Sequence, residues 1–207
     1  MKKILLPIAY LPNTAYMASI LQADEVWVEA CENYVKQSYR NRSYILTANG
    51  VVRLSVPVLH HGKVPIRELE IDYKQQWQNQ HWRAIQSAYA KSPFFEHFEG
   101  PLADAIYRRE DTLFDYNLNL LETCLQLVGR DPELRLTPSF RKSFKKGVIQ
   151  DDRALFHPKN DLHVVTPTYF QCFGEEFAPN LSIVDLLFCQ GPQVLVTLQK
   201  TRSALLP

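Results

Sequence analysis

Glycine is scarce, 7 in 207 residues, and none sits in a GxGxxG fingerprint, a Walker A loop or a GxSxG elbow. The familiar dinucleotide, P-loop and serine-hydrolase sites are therefore absent, and few loops remain that could wrap a diphosphate. Cysteine is equally sparse. Cys31, Cys124, Cys172 and Cys189 are scattered without a CxxC pair, so neither a zinc cluster nor a disulfide framework is indicated. No charge dominates: 23 Lys and Arg against 22 Asp and Glu leave a formal +1. That balance supplies no bulk drive toward nucleic acid or an anionic membrane. No apolar run approaches the roughly 20 residues that span a bilayer. The opening Met1-Lys2-Lys3 followed by apolar residues imitates a signal peptide, but Pro7 and Pro12 interrupt the run. The expected location is the cytoplasm.

What is present suits a folded domain. Apolar residues make up 46% of the chain, with 11 Phe, 10 Tyr and 3 Trp for a core, while charged residues at 22% argue against disorder. The length predicts one domain over residues 1–207. Strands are expected at Lys3 to Ile8 and Asp24 to Glu29, with a short helix at Thr14 to Gln22 between them. Asn49-Gly50 between two apolar runs predicts a β-hairpin with a type I′ turn, and Ile66 to Ile71 a further strand. Trp77, His81, Ile85 and Tyr89 recur every four residues and describe a helix that Pro93 stops. Thr112 to Val128 forms another, ended by Gly129. Asp131 to Asp161, with three prolines and the basic run Arg141 to Lys146, shows no clear pattern. A strand at His163 to Thr166, a helix at Ser182 to Gln190 and a last helix from Pro192 to about Ser203 complete the reading. The fold class is α/β or α+β: N-terminal strands and a hairpin, then a mainly helical C-terminal half.

Several residues carry chemistry, and each has a plainer alternative. Arg40, Asn41 and Arg42, with Lys36 nearby, concentrate cations before the hairpin. In an extended segment the two arginines point to one side and suit a phosphate or carboxylate, or else they pair with structural acids. His81 titrates near neutrality as a general base would, or serves as a hydrogen-bonded core residue. Asp185 either completes a Ser-x-x-Asp capping box with Ser182 or works on a ligand. Asn180 and Ser182 mark a helix start where N–H groups meet anions. Tyr169 and Gln171 alternate on an extended stretch and could face one pocket. His157-Pro158-Lys159 lies in irregular chain, where functional groups often gather. A His60/His61/His157 metal site has no supporting ligand spacing, and Cys172 and Cys189 show no activating partner.

Three segments together give a resemblance. The first runs from Tyr10-Leu11-Pro12 and Tyr16 through Ala23 to Glu29 and Tyr34 to Arg42, ending in Leu54-Ser-Val-Pro-Val58. The second holds Trp77, His81-Trp82, Ile85, Ala88-Tyr89 and Pro93-Phe94-Phe95. The third holds Tyr169-Phe-Gln171, then Phe177 to Phe188 and Gly191-Pro192. In order and spacing the chain resembles the bacterial WbqC-like family, with Ala9 and Glu29 standing where members commonly have a polar residue and an aspartate. The resemblance implies a place among surface-polysaccharide (O-antigen) biosynthesis functions. The resulting reading is a cytoplasmic enzyme of precursor assembly, a transferase passing an acyl or aminoacyl group to an amino sugar or activated sugar. Lys36, Arg40, Asn41, Arg42, Gln171, Asn180 and Ser182 would bind the activated sugar or acyl donor, and His81, Asp185 and Tyr169 would act on it. No cofactor is named by the sequence, and no metal. The alternative is a non-catalytic partner of a glycosyltransferase or acyl carrier protein, docking through Phe94, Phe95 and Phe98.

Overall fold

The first strand, β1 (Lys3–Pro7), is buried on both faces, as a near-continuous apolar run in a parallel sheet should be. The computed structural model describes residues 1–60, 62–145, 147–160 and 162–205. From β1 the chain crosses through α1 (Thr14–Leu21) into β2 (Glu25–Glu29), which pairs parallel to β1 from Lys3 opposite Glu25 to Pro7 opposite Glu29. Asn13 caps α1, its side chain accepting from the Tyr16 amide at 2.9 Å. The hairpin follows as β3 (Arg42–Thr47) and β4 (Gly50–Ser55). Its turn lies one residue earlier than expected. Ala48 and Asn49 are the loop, and Gly50 alone takes a positive φ, 90°, as in a type I turn closed by a glycine bulge.

Three helices come next: α2 (Trp77–Tyr89), α3 (Phe95–Tyr107) and α4 (Leu113–Leu127). The expected strand at 66–71 is instead a 3-10 turn at Ile66–Glu68, entered from Pro65, followed by isolated bridges from Glu70 to Thr112 and from Ile71 to Val58. Helix α3 was not anticipated, because Gly100 and Pro101 lie inside it. Phe95, Phe98, Leu102, Ala105 and Ile106 nonetheless mark its buried stripe. Phe95 and Phe98 are only 6% and 5% exposed, and Phe95 packs 4.9 Å from Phe188, centroid to centroid. Phe94 is half-buried against the same core. The aromatic docking surface of the non-catalytic alternative is thus part of the interior.

The irregular stretch after α4 supplies the rest of the sheet. Strand β5 (Leu134–Leu136) pairs parallel to β2, and β6 (Gln150–Asp151) pairs parallel to β1, so the order is β5-β2-β1-β6. Strands of three and two residues are too short to show a period. Beyond them lie β7 (Leu162–Val165), α5 (Ile183–Gln190), α6 (Val194–Lys200) and β8 (Arg202–Leu205). The last helix therefore ends at Lys200 rather than near Ser203, and the chain turns back to pair β8 antiparallel with β7. The mixed helix and strand architecture is the expected one.

This topology decides where a site belongs. On one sheet face, Ile4, Leu6, Val26 and Val28 enter the main core. The neighbours of β1 diverge, β2 on one side and β6 on the other, which opens a crevice at the carboxyl ends of the strands. In open parallel sheets that is where ligands bind.

Candidate functional site

The carboxyl edge gathers a charged network built from four separate segments. Glu29, the last residue of β2, is fully buried and accepts from the Cys31 amide at 2.9 Å and the Thr137 hydroxyl at 2.7 Å. Its other oxygen takes a hydrogen bond from Arg153 Nη1 at 2.8 Å. Arg153 also gives Nε and Nη2 to the two oxygens of Asp151, at 2.8 and 2.6 Å, so its planar fork is fully engaged. The aromatic rings of Phe140 and Phe144 lie 5.1 and 5.6 Å from the same guanidinium. A few residues along the chain, Arg40 makes a second two-point pair with Glu32, both bonds at 2.7 Å and both side chains buried.

Between these pairs lies a cavity of about 550 Å³, within the range of small-molecule pockets. Glu32, Arg40, Lys142, Asp151, Arg153 and His157 line it, with Val35 and Phe140 as its apolar part. His157 accepts from the Lys159 amide at Nδ1, 3.2 Å, so its proton resides on Nε2, which makes no hydrogen bond to another described residue. Burial depresses the His157 pKa below the usual imidazole value, and the positive charges of Arg40, Lys159 and Arg42 depress it further. Three basic side chains, Arg40, Lys142 and Arg153, line the cavity with two carboxylates, Glu32 and Asp151, and Arg42 and Lys159 add positive charge near His157. Lys142, Lys159 and Arg42 form no ion pair among the described residues. The cavity is left with a positive excess, and what it can do is hold an anion beside a neutral imidazole.

The predicted residues distribute over more than one place. Of the arginine segment, Arg40 reaches the cavity but is committed to Glu32, which corrects the picture of two free guanidiniums clamping one anion. Arg42 acts on His157 by charge, and its own Nε is buried without a partner. Asn41 is pinned to the carbonyl of Val56 at 3.0 Å, and Lys36 is exposed. His81 is away from the cavity. It is 6% exposed, its Nε2 accepts from the Ser55 amide at 3.2 Å, and its Nδ1 bonds the Tyr10 hydroxyl at 2.8 Å. Burial holds its pKa down to about 4. With both nitrogens occupied, no lone pair is left for substrate.

Tyr169, Gln171 and Asp185 do come together. Asp185 is fully buried and accepts from Tyr89 at 2.9 Å, Tyr169 at 2.6 Å and Gln171 at 3.0 Å. Its carboxylate does not reach back to a backbone N–H, so the capping-box expectation is replaced by a side-chain network. Burial raises the Asp185 pKa, opposed by the hydrogen bonds from Tyr169, Gln171 and Tyr89. Gln171 is fixed in turn by Ala178, donating to its carbonyl and accepting from its amide, each at 2.9 Å. Asn180 and Ser182 serve the backbone: Asn180 accepts from the Ala15 amide at the start of α1, and Ser182 donates to the Leu11 carbonyl while capping α5. Neither presents free N–H groups to an anion. Cys172 and Cys189 sit 3.9 Å apart, sulfur to sulfur, and burial raises both thiol pKa values, the reverse of nucleophile activation.

Among the described residues, no group of three or more His, Cys, Asp or Glu is placed to hold a metal ion, and His61 of the considered histidine trio lies outside them. No helix of the described residues is long and apolar enough to cross a membrane. Sequence reading missed Glu32, Lys142, Asp151 and Arg153 as site residues, and noticed His157 without assigning it. The available signals were the basic run at 141–146 and the His-Pro-Lys tripeptide in otherwise irregular chain.

A family model described as the WbqC-like protein family matches residues 8–157, a span that ends on the cavity histidine. An uncharacterized protein of Mycobacterium tuberculosis is 32% identical over 114 residues, which is 54% of this chain and 47% of that protein. The chain thus spans about half the length of the curated relative it matches. No solved structure matches the chain.

Proposed function

The chain belongs to the WbqC-like protein family, and we propose that it is a cytoplasmic transferase of bacterial surface-polysaccharide precursor assembly that binds its activated donor in the cavity at the carboxyl edge of the sheet. The observation that carries this reading is the meeting of Lys142, Arg40, Arg153 and His157 around one cavity of about 550 Å³ at a topological switch point. Positive excess suits a donor with a phosphate or carboxylate. His157, rather than His81, takes the role of base, because its pKa lies low enough to keep it neutral and it faces the cavity.

The reaction we favour is acyl or aminoacyl transfer to an amino sugar. The acceptor's amine nitrogen attacks the donor's carbonyl carbon, a C–N bond forms, and the bond from that carbon to the anionic leaving group breaks. The amine's proton passes to Nε2 of His157, whose own proton first moves through solvent to Nδ1 as that atom gives up its hydrogen bond from the Lys159 amide. The leaving group departs toward Lys142. Holding two reactants and moving one proton is all that this chemistry asks of a protein.

Thermal unfolding with sugar nucleotides and with acyl-coenzyme A tests the reading. A true donor at about a hundredfold excess over its Kd raises Tm by about 5–10 °C. Lys142→Ala, an exposed position, should abolish most of that rise. An unchanged rise in Lys142→Ala, or no rise with either ligand class, overturns the assignment of this cavity.

A further inference from the structure

The sheet face opposite the main core is not covered by a helix. Register places Lys3, Leu5 and Pro7 of β1 beside Glu25, Trp27 and Glu29 of β2 on that face. Charge marks both of its ends. At the amino end, Glu25 bonds Lys3 at 2.7 Å and Arg135 at 2.8 Å. At the carboxyl end stand Glu29, Arg153 and Asp151. Between them is an apolar trough of about 260 Å³ over Leu5 and Trp27, roofed by Pro138, Phe144, Val148 and Ile149.

The trough and the charged cavity adjoin. Leu5, in the trough, is the sheet partner of Asp151, in the cavity. Phe144 lines the trough and lies 5.6 Å from the Arg153 guanidinium that lines the cavity. An anion seated by Lys142, beside the engaged Arg153, therefore has apolar surface running away from it along the sheet. Four residues separate Glu25 from Glu29, about 13 Å at the usual strand rise, and the Lys3–Glu25–Arg135 network closes the far end.

From this continuity, and resting on the anion-binding reading above, we infer that the cavity's ligand carries a short unbranched apolar chain, which lies in the trough over Leu5 and Trp27. The occupant is one molecule with a charged head and a chain of a few carbons, not a long lipid tail, for which the trough is too short.

Isothermal titration of the full chain with inorganic phosphate and with methyl, butyl, hexyl and octyl phosphate tests this. Affinity should rise about two- to fourfold for each methylene that enters the trough, then level off before the longest chain. Val148 is 57% exposed, so Val148→Asn should fold normally; it should flatten the chain-length series while leaving inorganic phosphate binding unchanged. Lys142→Ala should instead weaken every member by a common factor. If phosphates bind with no dependence on chain length, the trough inference falls and the anion site stands. If the longer phosphates tighten equally in Val148→Asn, the chain lies elsewhere and the inference also falls. Absence of binding by the whole series removes the anion site itself. Chain-length independence together with concentration-dependent dimerisation would give this face to a second copy of the chain.

Discussion

Arg40 and Glu32 meet fork to fork, Nε on one carboxylate oxygen and Nη2 on the other, each at 2.7 Å and nearly out of reach of solvent. The pair forms one wall of the cavity, and the Arg40 carbonyl is itself held by Asn117 at 2.6 Å. Removing one partner leaves the other charge buried alone, which costs about 3–5 kcal/mol. Arg40→Met should therefore lower stability by about that amount. Adding Glu32→Leu should restore most of it, since burial of two apolar groups replaces burial of two charges. Urea unfolding of the single and double variants measures this. Equal stability of the two would mean that the pair contributes little.

His81 makes stability depend on pH. Its folded pKa is about 4 against 6.5 for the free side chain. Between those values the unfolded chain holds a proton that the folded chain does not, so stability is full above pH 6.5 and declines as pH falls toward 4. The total is on the order of 3 kcal/mol. His81→Gln should flatten the dependence of the urea midpoint on pH over that range. A slope identical to the parent's would place the titration on another group.

For His157 the expected signal is kinetic. Burial and the charges of Arg40, Lys159 and Arg42 lower its pKa, so a reaction using its neutral ring should persist below the ordinary imidazole range. Lys159→Ala keeps the backbone amide that bonds Nδ1 but removes one positive charge. The acid limb of the pH–rate profile should then move to higher pH. An unmoved limb would take His157 out of the proton transfer.

Gly191 ends α5 with φ of 51°, and any β-carbon there would collide with the ring of Phe94. Gly191→Ala should cost about 2–5 kcal/mol, from the left-handed backbone and from the forced shift of Phe94. Thermal unfolding reads the loss, and a wild-type Tm would contradict the packing described.

The parts of the fold written in long periods were legible. Helices α2 and α4 repeat apolar residues over three or four turns, and the Asn-Gly pair announced the hairpin, though the bulge geometry moved its turn by one residue. Strands β5 and β6 could not be read, because three and two residues carry no alternation; only the pairing with β2 and β1 makes them strands. The site failed to show for the same reason. Two of its groups, Asp151 and Arg153, stand on β6 and just after it, where no period marks them. The cluster of Asp185, Tyr169 and Gln171 was legible in membership but not in meaning. The spacing of Ser182 and Asp185 fitted a cap, while the carboxylate is held by partners 96, 16 and 14 residues away.

Strand β1 is held between a neighbour made soon after it and one made some 145 residues later, since Ile4 pairs with Val26 on one side and Gln150 on the other. The pocket therefore cannot exist on a nascent chain that has emerged only through the hairpin and helices. Closing so long a loop is entropically slow, which makes docking of residues 150–157 a late event in folding. A ligand that fits the pocket would capture that step, so refolding yield in its presence should rise before any turnover can be seen.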